Sequence, residues 1–201
     1  DLALGLTDRA LMDFSDVALD RCPLEAAVVA HPSIPNLYLL TAPVRMRGPA
    51  VTEEDFRRML QKIRQQFDFC LLDAPAGLGR GFQLATCAAD RCVVVTTADA
   101  SSLRDAQHTV MELDRFPSGA LHLVVNRVRK KLLRQLHATI DDAIDKAGLP
   151  LLGVVPEDDA LPLCMNRGVP ILLADGQSAA TAYRNIAKRL QGERVPLLRI
   201  R

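Results

Sequence analysis

An open, doubly wound α/β fold with a mainly parallel sheet is what this sequence predicts, on three observations. Continuous apolar runs recur at "CLL" 70–72, "CVVV" 92–95, "LHLVV" 121–125 and "LLGVV" 151–155. Such runs, as opposed to alternating ones, suit parallel strands buried on both faces. Between them the apolar period becomes that of a helix, and the later runs begin about 30 residues apart, the spacing of βαβ units.

Taken in order, "NLYLLT" at 36–41 is a further candidate strand, opened by Pro35 and Asn36 and closed by Pro43. Phe56, Met59, Leu60 and Ile63 fall at i, i+3, i+4 and i+7 on one helical face, and Thr52 with Asp55 offers a capping-box start. The 70–72 run then meets Asp73, followed by Pro75, Gly77, Gly79 and Gly81. Leu103, Ala106, Val110 and Leu113 repeat the helical pattern behind Ser102. Leu133, Leu136, Ile140 and Ile144 repeat it again up to Gly148 and Pro150, a helix stop and a breaker. A last helix carries Tyr183, Ile186, Ala187 and Leu190 on one side. No internal repeat, low-complexity segment or linker divides the chain, so residues 1–201 are expected to form a single α/β domain.

An apolar fraction of 49% supplies a sizeable core, and 24% charged residues suit a soluble surface. The net charge of +1 creates no overall field that would draw nucleic acid or an anionic membrane. Five cysteines, an odd number without a C-x-x-C pair, lie mostly inside apolar runs and are expected to be reduced core residues of a cytosolic protein. No apolar run approaches the roughly 18 residues of a membrane span, and no basic-then-apolar signal segment is present. The chain opens at Asp1, without an initiator methionine, and is expected to be a fragment.

In an open parallel sheet ligands bind at the carboxyl ends of the strands. Asp73 lies at such an end, ahead of glycines that let backbone amides approach a ligand. A carboxylate there suits a hydrated Mg²⁺, and amides suit phosphate; equally, such an Asp caps a following helix and the glycines turn the chain. Asn126 follows its strand directly, where a carboxamide can pair with a purine edge or serve as a turn residue. Pro156, Glu157 and Asp158 form a strand-to-helix loop at the same edge.

Together and in order, these segments resemble the MinD family of deviant Walker ATPases within the MinD/ParA group. "LLDAPAGLGRG" is similar to the family's Walker B and switch II segment, D-x-P-A-G. "VVVTTADASSLRDA" resembles its T-T-P-E-x-S-S-V-R-D stretch, with Ala98 and Asp99 in place of Pro-Glu. "LLGVVPEDDALPLCMNRGVPIL" resembles the G-V-I-P-E-D segment that runs on to N-x-G-x-P-V, and "NLYLLTAPVRMRGPAVTEEDF" the N-L-Y-x-L-P-A-x-Q-x-R-D run. The resemblance implies a P-loop NTPase fold with ATP and Mg²⁺ as cofactors. It implies that Asp73 holds a water on Mg²⁺ and that an amide of Gly77 senses the γ-phosphate. Asn126 would recognise adenine, with Pro156 and Glu157 as one wall of the base pocket, largely through backbone. Ser101, Arg104 and Asp105 would lie near a dimer or partner face; a solvated helix turn is the alternative.

The implied function is an ATP-driven switch that positions the division septum. ATP would close a homodimer and strengthen membrane binding through a C-terminal helix, and hydrolysis would reset both. A division inhibitor and an ATPase-activating protein are the implied partners, and the intact protein would be cytoplasmic and peripheral to the inner face of the cell membrane. The sequence contains no Gly-Lys pair, so the family's phosphate loop K-G-G-x-G-K-[ST], its first strand and its attacking-water aspartate are expected to lie ahead of Asp1. "GERVPLLRIR" is too short for the family's membrane helix. No catalytic residue is therefore assigned, and these residues alone are expected to be poorly stable and inactive. Alternatives are a ParA-like segregation ATPase, for which Arg127, Arg129, Lys130, Lys131 and Arg134 could contact DNA phosphates, a flagellar-number regulator, and a non-hydrolysing scaffold.

Overall fold

In the computed structural model, residues 1–43, 50–135, 139–174 and 178–198 are described. They gather into two compact units. Asp1–Ala89 with Met165–Pro170 form the first, and Asp90–Cys164 with Ile171–Arg201 the second.

In the first unit, α1 (Phe14–Ala18), α2 (Leu24–Ala27) and α3 (Glu53–Arg64) surround a core of Val17, Leu24, Val51, Phe56, Met59 and Leu60. All four apolar residues of the predicted α3 face, Phe56, Met59, Leu60 and Ile63, are buried. The predicted box is present: Asp55 N–H donates to Thr52 Oγ1 at 3.1 Å, and Thr52 N–H donates to Asp55 Oδ2 at 3.0 Å. Phe14 meets Phe56 edge to face at 5.6 Å between ring centres. The 36–41 candidate shrinks to β2 (Tyr38–Leu39), which pairs antiparallel with β1 (Val29–Ala30).

The predicted strand at 70–72 enters no ladder among the described residues. A strand exists only where a neighbour accepts and donates its backbone hydrogen bonds, and an apolar run cannot supply that neighbour itself. Leu72 packs on the first unit's core, whereas Phe69 and Leu71 are 67% and 87% exposed. The chain then turns into α4 (Arg80–Thr86). Gly5 and Gly168 bring two backbones together: a Cβ on Gly5 would lie 2.3 Å from the Gly168 carbonyl oxygen.

The second unit holds a parallel sheet in the order β3 (Cys92–Thr96), β4 (Leu121–Val128), β5 (Leu151–Pro156). Three of the predicted runs are therefore strands, and they are parallel. α5 (Ala100–Glu112) and α7 (Ile140–Ala147) lie in the crossovers that parallel pairing requires and pack on each other. α8 (Ala160–Asn166) follows β5, and α9 (Ser178–Leu190) lies along β5, its Ala179, Ala180 and Ala182 clustered with Val124, Leu152 and Val155. Since successive strand residues face opposite ways, the fully buried Leu123 and Val125 point to the crossover helices.

Three boundaries differ from the sequence expectation. α5 is capped by Asp99, whose Oδ1 accepts from Ser102 N–H at 3.0 Å, so Ser102 is inside the helix. The single helix expected over Leu133–Ile144 is two, α6 (Lys130–Gln135) and α7, because Thr139 takes an extended backbone and caps the second with Asp142; Leu136 lies outside the described residues. On α9 the buried side starts at Ala179 and Ala182, and Ala187 is exposed. Gly148 ends α7 as expected, left-handed with its N–H on Ile144 O at 2.8 Å.

Candidate functional site

Asp73 stands on the loop that leads into α4 and is exposed. Its carboxylate has no hydrogen bond or ion pair among the described residues, so both oxygens are free to accept from water. Gly77 follows at φ +85°, a conformation that a side chain disfavours, with open space where a Cβ would stand. Pro75 closes over the start of the helix: a Cβ on Gly81 would lie 2.5 Å from Pro75 Cγ. The sequence thus sets a free carboxylate and a left-handed glycine turn four residues apart.

The second unit brings Asn126, Pro156 and Glu157 to one sheet edge. β4 and β5 pair at Val125↔Val154 and again at Val128↔Pro156, so two residues of β4 face one of β5. That β-bulge lifts Asn126 and Arg127 out of the ladder at its carboxyl end. Asn126 Oδ1 accepts from Arg127 N–H at 2.9 Å, and Arg127 is left-handed at φ +53°. Pro156 is the buried last residue of β5. Glu157 N–H donates to Val128 O at 3.1 Å, and its two carboxylate oxygens accept from Arg127 Nε at 3.0 Å and Nη2 at 3.3 Å. Arg129 adds a contact at 3.4 Å. These cations hold the Glu157 carboxyl below its ordinary pKa, the Arg127 hydrogen bond contributing most.

Beside this edge is a pocket of about 300 Å³, lined by Asp99, Arg127, Arg129, Leu132 and Glu157 among others. Its acids are already engaged. Asp99 accepts from the hydroxyls of Thr97 and Ser101 and from Ser102 N–H, which together hold its carboxyl well below the carboxylate range. Ser101 therefore serves the cap, while Arg104 and Asp105 are exposed on the first turns of α5.

Two structural roles escaped the sequence. Asp158 joins separate segments: its carboxylate accepts from Ala160 N–H, Ser178 Oγ and Ala179 N–H, each at 3.1 Å. Arg127, read only as part of a basic cluster, is the partner of Glu157. Its only local signal was adjacency to Asn126, because the pairing spans 30 residues of sequence.

The family model described as "Cellulose biosynthesis protein BcsQ" matches residues 42–189. The chain is 36% identical over 200 residues to the septum site-determining protein MinD of Bacillus subtilis, covering 98% of this chain and 75% of that one. It is 33% identical over 201 residues to the MinD of Synechocystis, with the same shares covered. Among solved structures, the MinC:MinD cell division protein complex of Aquifex aeolicus superposes with a TM-score of 0.89 at 31% identity, over 99% of this chain and 81% of that one. MinD of Pyrococcus horikoshii complexed with Mg-ADP shares the fold, with a TM-score of 0.77 at 24% identity over 94% and 76%. Near-complete alignment to septum site-determining relatives, on a parallel sheet that carries the expected residues at its carboxyl edge, shows that this chain belongs to the MinD family of the MinD/ParA ATPases.

Proposed function

We propose that the chain is the greater part of an ATP-dependent switch that positions the division septum, acting as one nucleotide-binding domain. The observation that carries this reading is Asn126, lifted by a bulge at the carboxyl edge of β4 with its amide N–H groups unengaged among the described residues. The residues fit the nucleotide. Asp73 offers an uncommitted carboxylate to a water on Mg²⁺, and Gly77 offers a backbone that nothing crowds. Glu157 would face the base through backbone, because its side chain is held by two arginines.

When bound, Mg-ATP supplies an electrophilic phosphorus and the charge neutralisation that phosphoryl transfer to water needs. Asp73 orients metal-bound water and Asn126 orients the base. The turn at Gly77 responds to whether a terminal phosphate is present, the kind of order–disorder change that switches association on and off. A homodimer and a MinC-type division inhibitor are the proposed partners, the latter supported by the Aquifex complex. An ATPase-activating protein would reset the switch. Ser101, Arg104 and Asp105 are proposed to lie on or near the partner face, and membrane attachment to run through a C-terminal helix beyond these residues. Among the described residues no helix is long and apolar enough to cross a membrane.

The test uses the complete product of the reading frame that encodes residues 1–201. Mg-ATP binding and hydrolysis are measured with and without Asp73→Ala, which is expected to lower turnover by at least about 100-fold by removing the carboxylate that would orient a water on the metal. A complete product that binds no ATP overturns the proposal. Residues 1–201 by themselves, having no Gly-Lys phosphate cradle, are proposed neither to hold ATP at micromolar concentration nor to hydrolyse it. The family match over 42–189 favours one second reading, the same chemistry serving a cellulose-biosynthesis partner. Capture of a MinC-type protein in ATP separates the two.

A further inference from the structure

We infer that Arg127 is a positioning residue that sets the choice of base, acting through Asn126. The inference rests on the proposed base site. A carboxamide has a donor side and an acceptor side, and half a turn about Cβ–Cγ exchanges them. One order complements the donor and acceptor edge of adenine; the reverse order complements guanine, whose edge carries them the other way round. An unrestrained Asn at a strand end therefore selects neither.

Here the turn is fixed. The backbone N–H of Arg127 donates to Asn126 Oδ1 at 2.9 Å, and an N–H can pair only with the oxygen side of the carboxamide. Arg127 itself stands in the left-handed region, at φ +53°, which a non-glycine residue adopts only when its surroundings hold it there. Two restraints do so. The guanidinium forks onto both oxygens of Glu157 at 3.0 and 3.3 Å, and Glu157 N–H donates to Val128 O at 3.1 Å on the far side of the bulge. Arg127 and Glu157 thus tie the Asn126 turn to the Pro156 loop. The two amide hydrogens and the remaining lone pair of Asn126 are left in a set order.

The experiment compares adenosine and guanosine binding to the 201-residue chain by ligand-observed NMR at millimolar nucleoside, with melting temperature recorded alongside. Nucleosides are chosen because the base residues all lie in the second unit and need no phosphate cradle. Wild type is expected to prefer adenosine, and Asn126→Ala to lose the preference. Arg127→Ala is expected to lower it by about ten-fold, the scale on which a misaligned hydrogen-bonding group loses discrimination. Glu157→Gln, which keeps the shape and weakens the fork, should fall between. Arg127→Lys, which cannot form the fork, should not restore the preference. Equal weakening of both nucleosides in Arg127→Ala, with the preference intact, overturns the inference and leaves the base site standing. A preference that also survives Asn126→Ala, or is missing from wild type, overturns the base site and this inference with it.

Discussion

Asp99 shows how one carboxylate can organise a strand-to-helix junction. It accepts from Thr97, Ser101 and Ser102, so its charge is worth most when the helix is formed. Its pKa is depressed in the folded protein, chiefly by the Thr97 hydroxyl, which means that the folded state binds fewer protons than the unfolded state. That contribution is fully present above the unfolded value of about 4 and is lost as pH falls below it. Asp99→Ala is expected to cost about 1 kcal/mol at pH ~7, the usual worth of an N-cap, and much less at pH ~2. Urea unfolding of both proteins at the two pH values checks this, and a penalty that does not shrink in acid would count against the charge. At the same scale, Asn126 and Asp73 drew notice in the sequence because a polar residue stands out at the end of an apolar run. Arg127 was not, since the fork that gives it a role is made with a residue on another loop.

Among the elements, the β5–α9 contact leaves little room. A Cβ on Gly153 would lie 2.4 Å from Ile186 Cγ1 and 2.8 Å from its Cδ1, so the helix rests on the bare backbone of the strand. Gly153→Ala is expected to cost about 1–3 kcal/mol through overpacking, read as a lower urea midpoint with an unchanged slope. Arg189 pins the same contact, donating from Nη1 to Leu152 O at 2.7 Å and from Nε and Nη2 to Val195 O. What was legible here was whatever is written locally. The Thr52–Asp55 box and the Gly148 stop are encoded within four residues and were read correctly. The Thr139–Asp142 box has the same local form, yet the apolar spacing from Leu133 to Ile144 ran through it and concealed the break. The 70–72 run met every local condition for a strand and still has no ladder among the described residues, because pairing is a property of two segments. The bulge at Asn126 is hidden for the same reason: register belongs to β4 and β5 jointly.

For the molecule as a whole, the unusual quantity is apolar surface. β3 pairs only with β4 among the described residues, and on one of its faces Val93 and Val95 are exposed, Val95 by 58%. Phe69 and Leu71 add exposed apolar area on a segment without ladder bonds among the described residues. Open strand edges with apolar side chains are templates for pairing with another chain. The 201-residue chain is therefore expected to self-associate as its concentration rises, and Leu71→Lys with Val95→Lys to suppress this while leaving the melting temperature within about 4 °C, since neither side chain is in the core. Light scattering across a concentration series reads the outcome. Undiminished association in the double variant would place the sticky surface elsewhere.

The meeting of Gly5 with Gly168 has a consequence for the order of events during synthesis. The first unit is sewn from Asp1–Ala89 and a short ribbon, Met165–Pro170, that arrives after all three parallel strands have been made. A ribosome that has released residues 1–89 has therefore not released everything their fold needs. The nascent first unit must wait, unsealed, while the sheet of the second unit assembles behind it. Contacts so distant along the chain form late and slowly. Translation pauses between codons 90 and 164 should accordingly lengthen the chain's dependence on chaperones more than pauses after codon 170.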